Sequence, residues 1–167
     1  MPEAAFRHVP GIALQPSSHF PTGDPPAMTQ GTILGFDFGE KRIGVAVGET
    51  SLRVAHPLAT IAVTGNEART AAIGALIAEW RPVALVVGVP VHMDGTEHEM
   101  TLRARRFGRR LEGIFHLPVR FVDERLTTRD ADLLLREAGI AGRKAKPVRD
   151  QVAAQRILQD YFDMLQP

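Results

Sequence analysis

The chain has 167 residues, 44% of them hydrophobic and 23% charged, enough for one well-filled core and a tight fit for two. It contains no cysteine, which excludes disulfides, thiol catalysis and cysteine-held zinc or iron–sulfur centres, and its formal net charge of +1 argues against a general polyanion binder. No uninterrupted apolar run reaches the roughly 18 residues of a membrane-spanning helix, so no membrane partner is expected.

Residues 1–30 carry proline at positions 2, 10, 16, 21, 25 and 26 and no sustained apolar period. They are expected to form a poorly ordered extension, with a single domain over 31–167 and the folded unit beginning near Met28. A secretory leader needs a basic start and an unbroken apolar middle, and neither is present.

Thr32 to Phe38 and Arg42 to Val47 are β-rich runs on either side of Gly39-Glu40-Lys41, the composition of a hairpin turn. Asp37 interrupts the first run with a carboxylate where a buried strand should be apolar, a costly choice unless a cation neutralises it. A third strand is expected over Ala55 to Ile61. Asn66 then reads as the N-cap of a helix to about 80, whose face is set by Ile73, Leu76, Ile77 and Trp80.

Val83 to Val89 is continuously apolar, the pattern of a strand covered on both faces. Beyond Asp94-Gly95 a helix from about 97 to 115 is expected to bury Met100, Ala104, Phe107, Leu111 and Ile114, with Arg103, Arg106 and Arg110 on another stripe. Val119 to Val122 supplies a fifth strand, and Thr128 caps a short helix presenting Ala131, Leu134, Leu135 and Ala138 and ending at Gly139. A basic loop over 142–147 precedes a last helix from about Asp150 to Leu165, with Asp150 one turn before Ala154 on the buried face. The order predicts an α/β fold: a mixed five-stranded sheet with a three-stranded antiparallel front and two further parallel strands, flanked by helices.

Asp37 in the first strand, Asp123 and Glu124 after the fifth, and Asp150 at the head of the last helix are acids placed where elements begin or end. Separated carboxylates of this kind converge to bind divalent cations, hard ions that bridge phosphate oxygens during phosphodiester hydrolysis. Each acid alone also reads as a helix cap or a solvated side chain. Lys41, Arg42, Arg125, Arg143, Lys144 and Lys146 lie in loops flanking the acids and suit phosphate neutralisation, and Thr127 and Thr128 offer hydroxyls to phosphate oxygens. Weaker matches fall away: Asp37-Phe38-Gly39 lacks the other kinase loops, Gly35 to Arg42 lacks the end of a Walker loop, and the histidines at 56, 92, 98 and 116 have no zinc spacing.

Four stretches in order carry a resemblance: Phe36-Asp37-Phe38-Gly39-Glu40-Lys41-Arg42-Ile43-Gly44-Val45-Ala46, Gly88-Val89-Pro90 with Asp94-Gly95-Thr96, Asp123-Glu124-Arg125-Leu126-Thr127-Thr128, and Asp150-Gln151-Val152-Ala153-Ala154-Gln155-Arg156-Ile157-Leu158. Together they resemble the YqgF/RuvX family from about Thr32 to Phe162. The resemblance implies a ribonuclease H-like fold and a cytoplasmic nuclease that trims the 5′ end of pre-16S rRNA, alone or in a ribosomal precursor particle. It also implies Mg²⁺ or Mn²⁺ in a two-metal site on Asp37, Glu124 and Asp150, which would be both the catalytic and the metal-binding residues. In many ribonuclease H-like nucleases the second acid ends the fourth strand, where this chain has Gly88-Val89-Pro90. Glu124 is therefore expected to reach in from the fifth strand, with Asp123 as its rival.

Two alternatives follow from the same resemblance. Holliday-junction resolution would make branched DNA the substrate and require two sites related by a two-fold axis, and a non-catalytic nucleic-acid-binding module would have no need of the three acids. A monomer or weak homodimer is expected.

Overall fold

The computed structural model describes residues 30–92, 94–124 and 145–165, with the side chains of 145 and 146 left aside. Among the described residues five strands and three helices follow one another: β1 (Thr32–Phe38), β2 (Ile43–Glu49), β3 (Val54–Ile61), α1 (Asn66–Trp80), β4 (Ala84–Val89), α2 (Glu99–Phe115), β5 (Val119–Asp123) and α3 (Ala145–Met164). The sheet order is β3-β2-β1-β4-β5. β1, β2 and β3 pair antiparallel, whereas β4 runs parallel to β1 and β5 parallel to β4, the expected arrangement. The helix anticipated after Thr128 lies outside the described residues, as does the extension before residue 30.

Strand alternation sorts the core into two faces. Ile33, Ala46, Ala84, Val86 and Val122 meet Ala154, Ile157, Leu158, Tyr161 and Phe162 of α3. On the opposite face Leu34, Phe36, Ile43, Val45, Leu85, Val87 and Val119 meet Ile73 of α1 and Leu111 of α2. β4 is buried along its whole length, as its unbroken apolar run requires.

At the outer edge, β3 contains Pro57, whose missing N–H suits an edge strand. The open backbone groups of that edge are met by glutamines one turn apart on α3. Ala55 N–H donates to Gln159 Oε1 at 3.0 Å, Gln155 Nε2 donates to the Ala55 carbonyl at 2.9 Å, and Gln159 Nε2 donates to the Arg53 carbonyl at 3.0 Å.

Four expectations need correction. Gly65, at φ 91°, is the cap of α1, and Asn66 is its first helical residue; glycine reaches this positive φ without steric cost. Ile114 is 42% exposed, because the buried stripe of α2 runs through Thr101, Ala104, Gly108 and Leu111 and then continues to Phe115. Met100 does not enter the core but lines an open groove described below. The last helix starts at Ala145, so Pro147 and Asp150 lie within it. Proline is tolerated in a first turn because the N–H groups there have no intrahelical acceptor.

Candidate active site

β1 alternates Ile33, Gly35 and Asp37 toward α3, and Leu34, Phe36 and Phe38 toward α1 and α2. Asp37 therefore emerges at the carboxyl end of the strand on the helix α3 side. Its antiparallel partner is Gly44. A Cβ on residue 44 would collide with the main-chain oxygen of Asp150, so the absence of a side chain lets α3 lie against β2 and brings the Asp150 carboxylate to the end of β1.

The third acid arrives from the other side. Glu124 stands two residues after Val122, which faces α3, and so shares that face; its N–H donates to the Val89 carbonyl at 3.0 Å. Gly88 pairs with Val122, and a Cβ there would stand 2.7 Å from Glu124 Oε2. The glycine leaves the space into which Glu124 turns. Asp123 has the opposite parity and is exposed.

Crowding of the acids shows in their proton affinities. Asp37 is pushed up to about 7, by burial first and then by the charge of Asp150. Glu124 is pushed up to about 9, by burial, then by Asp37 and Asp123. Buried carboxylates that repel one another favour either a proton or a cation. Their donor set of hard oxygens fits Mg²⁺ or Mn²⁺. The electrostatic contacts run in pairs, Asp37 with Asp150 and Asp37 with Glu124; among the described residues no three acid or imidazole side chains form one ready-made chelate.

Asp150 already holds a cation: Arg42 Nε donates to its Oδ2 at 2.5 Å. Arg42, which the sequence offers to phosphate, lies on a candidate metal ligand in the structure. Lys41 is exposed and, with Gly39, Glu40, Arg42, Met100 and Asp150, lines a groove of about 520 Å³. Arg125, Thr127, Thr128, Arg143 and Lys144 lie outside the described residues, and so does the side chain of Lys146, whose backbone is in the first turn of α3.

The hairpin that carries Asp37 is fastened from behind by a residue no periodicity revealed. Arg69 in α1 is 9% exposed; its Nη2 donates to the Glu40 carbonyl, its Nε to the Val63 carbonyl at 3.2 Å, and its guanidinium lies 5.8 Å from the centre of the Phe38 ring. Arg103 of α2 pairs with the Glu40 side chain and with Glu99 at 2.8 Å. Gly44 and Gly88 stand in the motifs that carry the resemblance, but the sequence assigns them no packing role, and it does not single out Arg69 at all. For the glycines a signal existed, since a glycine inside a strand marks close approach of another chain segment.

The family model for RuvX, described as Holliday junction resolvase, matches residues 31–164. A protein of Methylobacillus flagellatus named "Putative pre-16S rRNA nuclease" is 58% identical over 142 residues, covering 85% of this chain and 97% of that protein. One of the same name from Dechloromonas aromatica is 62% identical over 133 residues, covering 80% of this chain and 91% of its own. Among solved structures, the fowlpox virus Holliday junction resolvase superposes with a TM-score of 0.50 at 8% identity, over 80% of this chain and 99% of that one. That likeness concerns the fold, which is ribonuclease H-like. No helix among the described residues is long and apolar enough to cross a membrane.

Proposed function

The chain belongs to the RuvX family, and we propose that it is a cytoplasmic, metal-dependent nuclease that hydrolyses phosphodiester bonds at the 5′ end of precursor 16S rRNA. The observation that supports this reading is the pairwise crowding of Asp37 with Asp150 and of Asp37 with Glu124 at the end of β1, with burial raising the proton affinity of Asp37 and Glu124. The names of relatives at 58% and 62% identity support the substrate.

Asp37, placed between the other two acids, would hold the metal together with Asp150 on one side and Glu124 on the other. Mg²⁺ or Mn²⁺, when bound, supplies Lewis acidity that activates water and stabilises the leaving oxygen. The carboxylates orient that water and balance the cation charge. Lys41, Arg125, Arg143, Lys144 and Lys146, with Thr127 and Thr128, are the residues offered to the backbone phosphates.

The test is to incubate the purified protein with precursor 16S rRNA and, separately, with a four-way DNA junction, with and without Mg²⁺ or Mn²⁺, beside Asp37→Asn. Metal-dependent trimming of the RNA that disappears in the variant is expected. Full activity in Asp37→Asn would overturn the assignment. The family description as a Holliday junction resolvase favours a second reading, cleavage of branched DNA. Paired symmetric nicks by a stable dimer would establish that reading, whereas a monomer trimming RNA establishes the first.

A further inference from the structure

Arg42 immediately precedes β2, and its side chain, 30% exposed, reaches across to the Asp150 carboxylate, 17% exposed, at the wall of the open groove. The main chain of its hairpin is fixed independently, by Arg69 on the Glu40 carbonyl and Arg103 on the Glu40 side chain. The guanidinium is therefore free to change partner without dragging the turn.

A divalent ion shared by Asp37 and Asp150 needs the carboxylate that Arg42 grips. Two cations at one carboxylate repel, and an arginine, unlike a lysine, does not relieve the conflict by losing its proton. It relieves it by moving. The neighbouring space is the groove beside Lys41, where an anion with planar, two-point recognition is the natural partner. We propose that Arg42 is a metal-displaced phosphate ligand: held on Asp150 without metal, it is released by metal binding to grip the backbone phosphate of the substrate. Metal and nucleic acid then bind cooperatively, and the protein takes up substrate in earnest only when the centre is loaded.

This inference rests on the metal-centre reading above, and its test separates the two. Mn²⁺ is titrated calorimetrically into the intact chain, its Arg42→Ala and Arg42→Lys variants, and Asp37→Asn, with thermal unfolding run alongside to confirm folding. Arg42→Ala is expected to bind Mn²⁺ about tenfold more tightly than the unaltered protein, since a competing cation has gone, and Arg42→Lys to fall between. Binding of a fluorescein-labelled RNA hairpin is then followed by anisotropy against salt, in EDTA and in Ca²⁺. In Ca²⁺ the log–log salt slope of the unaltered protein should be steeper than that of Arg42→Ala by about 0.7 to 0.9, one phosphate contact, and in EDTA the two should coincide. Mn²⁺ affinity unchanged or weakened in both folded Arg42 variants, or equal slopes in Ca²⁺, overturns the proposal while leaving the metal centre standing. Absence of Mn²⁺ binding to the unaltered protein removes the centre and the proposal together.

Discussion

Gly44 lies directly beneath the backbone carbonyl of Asp150, and any side chain at that position would occupy the space of the helix main chain. Residue 44 is also the strand partner of Asp37, so one close approach sets the distance between two of the three acids. Gly44→Ala should therefore push the start of α3 off the sheet. The expected cost is about 2 to 3 kcal/mol of stability with near-total loss of cleavage, because a main-chain clash cannot be relieved by a rotamer change. Gly113→Ala is the control of opposite sign. That glycine is in α2 with nothing within 4 Å of its would-be Cβ, and alanine there should stabilise by about 0.5 to 1 kcal/mol. Thermal and urea unfolding of both variants checks the pair.

Stability of the metal-free protein should fall as pH rises. Asp37 moves from 3.8 to about 7 on folding and Glu124 from 4.5 to about 9, so the folded state keeps protons that the unfolded chain has released. Their contribution is fully present below about pH 4, and is lost progressively to pH 7 for Asp37 and to pH 9 for Glu124. Melting curves in EDTA should show this decline, with Asp37→Asn flattening the lower window and Glu124→Gln the upper. Stabilisation by Mn²⁺ should grow over the same range, as the ion replaces protons. A melting temperature independent of pH between 5 and 9 in EDTA, with neither variant altering it, would contradict the crowded-acid account.

Among the described residues the edge of β3 is closed by side chains and not by another strand. Gln155 and Gln159 satisfy both backbone groups of Ala55, and Gln159 also reaches the Arg53 carbonyl. Replacing both glutamines with alanine removes the three hydrogen bonds to the strand edge and should cost about 1 to 3 kcal/mol. It also exposes an unpaired edge, which favours edge-to-edge association. Size-exclusion chromatography before and after mild heating should show larger species in the double variant; an unchanged monomer-to-oligomer ratio and melting point would show that water serves the edge equally well.

The strands and the first helix were legible because their signals are local. Val83 to Val89 reads as doubly covered from its unbroken apolar run, and Ile73, Leu76, Ile77 and Trp80 set the face of α1 by spacing alone. Asp37 announced itself as a charge among apolar neighbours. What remained hidden depends on contacts between distant parts of the chain. Arg42 and Asp150 are 108 positions apart, and only the seating of α3 on Gly44 brings them together. Arg69 looks like any helix-surface arginine until Phe38 and the Glu40 carbonyl close over it. Pro147 misled in the opposite sense, reading as a loop residue although a first helical turn accommodates it.

Asp123 and Glu124 are adjacent acids that the strand sends to opposite faces, and this difference predicts unequal consequences of removing each charge. Glu124 shares the α3 face with Asp37, lies against the space left by Gly88, and is anchored through its N–H to Val89. Asp123 is exposed and raises the proton affinity of its neighbour. Glu124→Gln keeps the shape and removes the anionic ligand, so cleavage should fall by about a thousandfold or more, the loss of a metal-orienting group costing on the order of 4 kcal/mol in the transition state. Asp123→Asn should leave the rate within about fivefold, and by relieving one repulsion it should lower the pH at which Glu124 releases its proton, moving the rising, acid-side limb of the pH–rate profile to lower pH. Single-turnover cleavage of precursor rRNA across pH, for both variants at saturating and at subsaturating Mn²⁺, measures the two effects: the rate loss at saturation and the proton competition below it. The reverse ranking, with Asp123→Asn inactive and Glu124→Gln active, would transfer the ligand role to Asp123 and require the chain after β5 to turn the other way.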